Sequence, residues 1–214
     1  MGYTLVGLDL GQSRDYKALA VLRVSWKTMG GAGMVADIEV PHLKRYALGT
    51  KYPDIIGDVA DLMRRREVCG AQLVVDATGV GRPVLDDMQA SGLQPIGITI
   101  TAGNAPQRVD AMDWTVPKRD LVSTMAVLLQ NGRLHIAAAL EHAPTLTSEL
   151  SNFKATITLA GNDTYGADAP WREGNHDDLV FAVALPAWYG MKHPPLQAGS
   201  FLSGGERRPR TRLR

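Results

Sequence analysis

The sequence predicts an α/β fold, with one mixed five-stranded central sheet flanked by helices and an extra β-hairpin. Three observations carry that prediction. Three strand-like segments follow one another at the N-terminus with only short turns between them, which describes an antiparallel meander. Strand and helix patterns then alternate through the middle of the chain, which calls for a parallel portion covered on both faces. At 214 residues and 45% hydrophobic content, one sizeable domain can bury a real core.

The elements follow in order. "YTLVGLDL" and "YKALAVLRVSW" read as strands joined by the polar turn "GQSRD". The glycine-rich "MGGAGM" leads into a third strand region, "VADIEVPHLKRYAL". In "KYPDIIGDVADLMRRREV", residues Ile55, Ile56, Val59, Leu62 and Met63 recur at helical spacing. "AQLVVDATG" is a short apolar run ending in turn residues, as a buried strand would. Pro83 sits where a helix through "VLDDMQASG" can begin, and Gly92 lies near its end. "LQPIGITIT" is the fifth strand. "VPKRDLVSTMAVLLQNG" is an amphipathic helix closed by Asn131 and Gly132, "RLHIA" a short strand at most, and "LEHAPTLTSELSNF" another helix. "KATITLAGNDTYGA", Lys154 to Ala167, alternates around a Gly-Asn-Asp turn and reads as a hairpin. The last helix is expected from an N-cap at Asn175 to about Tyr189, with Pro186 bending it or narrowing its tail. Residues 1–192 read as one domain and 193–214 as a flexible basic tail.

Composition excludes several classes. The formal net charge of +1 announces no polyanion partner in bulk, although arginines cluster at 64–66 and between 207 and 214. Cys69 is the single cysteine, so neither a disulfide framework nor a thiolate metal site exists. The N-terminus has no signal-type pattern, and no apolar run is long enough to cross a bilayer. These features suggest a protein of the cell interior.

Carboxylates carry the functional signal. In "TLVGLDLG", Leu5, Gly7 and Asp9 share one strand face, so an acid interrupts an apolar strand. Asp76 ends "LVVD" in the same manner. Open sheets bind ligands beyond the carboxyl ends of their parallel strands. If the first and fourth strands are parallel neighbours, Asp9 and Asp76 lie side by side and repel unless a cation sits between them. Asp177 and Asp178 in "GNHDDLVFAVAL" head the last helix, where acids are favoured by the helix dipole. Each acid alone also has a structural reading as a turn brace or cap; Asp15 is a further such case. Together they suit two hard cations such as Mg2+ or Mn2+, about 4 Å apart, acting on a phosphodiester.

The ordered blocks "VGLDLGQSRDYKALAVL", "LVVDATGVGRPVLDDM", "VPKRDLVSTMAVLLQNGRLHI", "LTSELSNF" and "NHDDLVFAVALPAW" resemble the nuclease domain of tailed-phage terminase large subunits, from about Thr4 to Tyr189. The resemblance implies an RNase H-like fold and a two-metal endonuclease that cuts concatemeric viral DNA during genome packaging in the cytoplasm of an infected host. It implies metal ligands at Asp9, Asp76 and Asp177 or Asp178, with Asp178 favoured as the direct ligand, and an additional acid at Asp15. His176 matches the motif's histidine. The hairpin from Lys154 is implied to stand beside the site, and Lys118, Arg119, Lys154 and Arg172 are expected to contact DNA phosphates with little sequence preference. Implied partners are double-stranded DNA, a terminase ATPase domain, a small terminase subunit and a portal.

One departure is large. A complete terminase large subunit begins with an ATPase domain, and this chain has no G-x-x-x-x-G-K-[ST] loop. It is therefore expected to be a fragment or a split gene product. Three other readings stay open: a resolvase for branched DNA, an actin-like ATPase or sugar kinase, and a non-catalytic DNA-binding or portal-docking module.

Overall fold

The alternation seen in the sequence becomes two separate apolar layers on one sheet. The computed structural model describes residues 2–11, 15–28, 33–159 and 177–194. The strands are β1 (Gly2–Asp9), β2 (Lys17–Thr28), β3 (Met34–Tyr46), β4 (Gln72–Asp76), β5 (Pro95–Thr101), β6 (Gln107–Arg108), β7 (Asp113–Pro117) and β8 (Leu134–Ile136). The helices are α1 (Tyr52–Met63), α2 (Gly81–Ala90), α3 (Lys118–Gln130), α4 (Ala143–Leu159) and α5 (Asp178–Lys192). No described helix is long and apolar enough to cross a membrane.

Among the described residues the strands form one eight-stranded sheet in the order β6-β7-β5-β4-β1-β2-β3-β8. The expected five strands make up its middle. At one edge "DWTVP" forms β7 beside β5, with β6 beyond it, neither of them expected; at the other "LHI", within the segment expected as a short strand at most, pairs in parallel with β3. These edge strands are short or only half-buried, so they lack the continuous apolar run that marks a strand between two covered faces.

Residues Leu5, Ala18, Ala20, Leu22, Val74 and Ile98 face α3, α4 and α5, whereas Val6, Leu8, Leu19, Val21, Leu73 and Val75 face α1 and α2. Asp9 continues the Leu5–Gly7 face and Asp76 continues the Val74 face, so both acids belong to the α5 side. Strand β3 changes phase part-way. Between its pairs Glu39–Arg23 and His42–Val21 it holds one residue more than β2, which is a β-bulge. Ile38 and Val40 therefore point to the α5 side before the bulge, and Leu43 does so after it. By the same alternation Arg45 lies on the α5 side, while Lys44 and Tyr46 face α1, where both bond the Asp58 carboxylate at 2.7 Å.

Helix α5 is buried almost all round, which explains its apolar sequence. A β-carbon added at Gly7 would stand 2.0 Å from the Ala182 carbonyl oxygen and 2.5 Å from Pro186 Cγ. Near the other end of the helix, Gly190 lies against Leu5 and Tyr3. Helix α5 therefore runs antiparallel to β1, and its N-terminus points toward the Asp9 end of the strand. Pro186 stays inside the helix, its ring resting where Gly7 leaves space.

Two expectations for this region are corrected. The N-cap of α5 is Asp177 rather than Asn175, which with His176 lies outside the described residues. Lys154 to Leu159 continue α4 instead of forming the first arm of a hairpin, because the helix begun at Ala143 runs on without a break. The rest of that hairpin, Arg172, and the tail beyond Pro194 lie outside the described residues.

Gly7→Ala should lift α5 from the sheet and destabilise the protein by about 3 kcal/mol. Gly57→Ala, at an exposed helical site with nothing within 4 Å of the added carbon, should stabilise it by about 0.5–1 kcal/mol. Urea unfolding of the two variants checks both signs.

Candidate metal-binding site

The register of four strands sets the site. Asp9 pairs with Ala18 and Ala18 with Arg45, while Leu8 pairs with Val75, so the next position of that parallel ladder sets Asp9 beside Asp76. Asp76, Asp9, Ala18 and Arg45 thus form a row across β4, β1, β2 and β3, all on the α5 side. Neighbours in such a row are about 4.8 Å apart. Ala18 is the small member, and it leaves room for the start of α5.

Asp9 and Asp76 are each 6% exposed. Each folds back on its own turn: Asp9 Oδ1 accepts the Gly11 N–H at 2.9 Å, and Asp76 Oδ1 accepts the Thr78 N–H at 2.7 Å. Burial, and then the negative charge of Asp9, raises the pKa of the Tyr52 hydroxyl. That hydroxyl donates to the Gly11 carbonyl at 3.2 Å.

Asp178 is the first residue of α5 and is also 6% exposed. Its carboxylate is held on both oxygens by Arg45, Nε to Oδ2 at 2.7 Å and Nη2 to Oδ1 at 2.5 Å. The same Nη2 reaches Glu149 Oε1 on α4 at 2.8 Å. The other oxygen of Glu149 accepts the N–H groups of Leu179 and Val180 at 3.1 and 3.3 Å. Glu149 is therefore the side-chain cap of α5, supplied from a different helix. The Tyr16 ring covers the guanidinium carbon of Arg45 at 4.3 Å.

Asp177 precedes this network as the half-buried N-cap residue, its carbonyl accepting the Phe181 N–H at 2.9 Å. Asp15 lies in the turn after β1, its β-carbon 3.1 Å from the position of a β-carbon added at Gly11. Lys118 opens α3 with Nζ 5.8 Å from the centroid of the Phe181 ring, near the same end of α5. Arg119 is half-buried and bonded to Asn104 in the loop after β5. Lys154 lies within α4.

The donor set fits a hard divalent cation in part. Asp9 and Asp76 are paired carboxylates at adjacent strand ends, the oxygen chemistry that Mg2+ and Mn2+ favour. Among the described residues, however, no three acids, histidines or cysteines converge into a ready cage. Asp178, the acid that opens α5, has Arg45 on both of its oxygens.

Solved structures align with this architecture. The large terminase nuclease from thermophilic phage G20c, in a zinc-bound and a second crystal structure, aligns over 86% of this chain and 79–80% of that chain. The TM-scores are 0.51 and 0.50, at 20% sequence identity. The fold is that of a large terminase nuclease. RuvC from Thermus thermophilus aligns with a TM-score of 0.39 at 13% identity. No protein-family model matches the sequence, and no curated protein matches it.

Within this fold, a mixed α/β sheet flanked by helices as expected, two polar residues carry no assignment from the sequence. Glu149 sits inside "LTSELSNF" without any marker of its role, since its partners, the Arg45 guanidinium and two N–H groups of α5, are all distant in sequence. Arg45 shows nothing unusual in "HLKRYAL", because the bulge that turns it toward α5 leaves no local signature.

Burial, and then the Asp178 charge, push the Glu149 carboxyl up to about 8, against the opposing pull of Arg45. A carboxyl whose folded pKa exceeds its unfolded value binds its proton more tightly when folded. Its contribution to stability is then full below the unfolded value of 4.5 and is lost as pH rises through about 8. Stability of the metal-free protein should accordingly fall between pH 5 and pH 8, and Glu149→Gln should flatten that slope. Thermal melts across this range, with chelator present, measure it.

Proposed function

We propose that this chain is a metal-dependent endonuclease that hydrolyses the phosphodiester backbone of double-stranded DNA, of the kind that trims viral concatemers during genome packaging. The observation that carries the reading is the pair of buried acids, Asp9 and Asp76, on adjacent parallel strands beneath the N-terminus of α5. Two like charges in one buried row are costly unless a cation joins them. The shared fold with a large terminase nuclease supports the same class of chemistry.

In this reading Asp9 and Asp76 supply oxygen ligands from rigid strand ends, and Asp178 or Asp177 supplies the third side from the start of α5. Asp15 stands near enough in sequence to add an outer carboxylate. When bound, Mg2+ or Mn2+, two ions in the fullest form, supplies the Lewis acidity for in-line hydrolysis that leaves 5′-phosphate ends. The hydrogen bonds from Gly11 and Thr78 occupy one oxygen of each strand acid and orient the other. Lys118, at the start of α3 with its ammonium near Phe181 of α5, and the neighbouring Arg119 bring positive charge for DNA phosphates. Lys154 and Arg172 extend that assignment along the chain. Binding through phosphates gives little sequence preference and strong dependence on salt. The ATPase domain, small subunit and portal of a packaging machine are the partners this role calls for.

Supercoiled plasmid incubated with Mn2+ or Mg2+ should be nicked and linearised by the wild type, while Asp76→Ala should leave it at the level of buffer alone. Equal cleavage by both proteins would remove Asp76 from the site. ATP binding without strand scission would favour an actin-like ATPase instead.

A further inference from the structure

The Arg45–Asp178 pair calls for an explanation beyond the assignment of ligands. A guanidinium forked onto both oxygens of a carboxylate is a strong, directional contact, and here it is nearly dry: the Arg45 side chain is 16% exposed and that of Asp178 6%. A divalent cation on the same carboxylate would face a fixed positive charge across a few ångströms in a medium that screens poorly. Cation and guanidinium cannot both hold Asp178 at full strength.

Arg45 also has a second anchor that does not involve Asp178. Its Nη2 is bonded to Glu149 Oε1 at 2.8 Å, and Tyr16 covers the guanidinium face. Glu149 keeps its own place through the Leu179 and Val180 N–H groups. Loss of the Asp178 contact would therefore leave Arg45 paired, and α5 capped. Ala18, between Asp9 and Arg45 in the row, presents no bulk to a shift of Asp178 toward Asp9.

We propose that Arg45 is a built-in competitor for the metal, holding both oxygens of Asp178 until a divalent cation displaces it, with Glu149 retaining the displaced guanidinium. The inference rests on the reading of Asp9, Asp76 and Asp178 as a metal site. Arg45 is a positioning residue in it. Its effect is to make the complete site weaker for free cations than three carboxylates alone would be, so assembly awaits conditions that favour exchange, such as a DNA phosphate adding its own oxygen ligand.

The test is Mn2+ binding to the DNA-free protein, followed by the electron paramagnetic resonance signal of the free ion. Arg45→Gln should bind Mn2+ roughly tenfold more tightly than the wild type, the size of one charge-assisted contact removed from competition. The double variant Arg45→Gln/Glu149→Gln, which also replaces the acid that Arg45 would leave without its guanidinium partner, should show the same gain and guards against misfolding of the single variant. Circular dichroism establishes that each is folded. In an Asp178→Asn background, Arg45→Gln should no longer tighten binding. Unchanged or weaker binding in the folded variants would overturn the proposal. So would a gain that survives in the Asp178→Asn background, since it would reflect the long-range field of the arginine. Absence of Mn2+ binding in the wild type and every Arg45 variant alike would instead remove the metal site itself.

Discussion

The close contact between Gly7 and α5 is the constraint on which the rest of the arrangement depends. A helix buried on nearly every side has no polar face to orient it, so something else must set its depth and direction. Here the absent β-carbon of Gly7 lets the Ala182 carbonyl and the Pro186 ring settle onto β1. With that contact made, α5 can run only along the strand, and its first turn arrives beside the strand-end acids. Close packing thus acts as a positioning device, and the chemistry of the site inherits its precision from van der Waals contact.

Much of this was legible in the sequence because both apolar periods are clean. The β1 and β4 runs carry an acid at the end of an otherwise apolar face, and the helix at Asp178 is marked by an uninterrupted apolar stretch. Pro53, Pro83 and the pair Asn131 and Gly132 sit at or near helix ends, where backbone geometry demands them. What escaped notice depends on tertiary pairing. The α4 helix absorbs Lys154 to Leu159, whose β-branched alternation reads locally as a strand, so chain propagation from Ala143 outweighed local preference. Glu149 and Arg45 bond partners far away in sequence, and neither sits in a pattern that names its partner.

The electrostatics are those of a nearly neutral core. Arg45 stands between the buried acids Asp178 and Glu149, and Glu149 divides its oxygens between that guanidinium and the first N–H groups of α5. Such a network gives little net stability, because desolvation offsets attraction, but it penalises every arrangement that leaves one member unpaired. It selects one seating of α5 over near alternatives. The acids Asp9 and Asp76, by contrast, each accept an N–H from their own following turn, which ties them to the strand ends.

The bulge in β3 has a consequence for how this region can vary. Three consecutive residues after it, Lys44, Arg45 and Tyr46, fasten opposite helix layers in alternation. Which layer each one serves is a matter of parity, counted from the extra residue between Glu39 and His42. Replacing a side chain there changes one contact. Removing or adding one residue would exchange the two faces for everything downstream, turning Arg45 to α1 and offering Lys44 and Tyr46 to Asp178. The length of this short segment, more than its composition, is therefore what lineages carrying such a site must preserve.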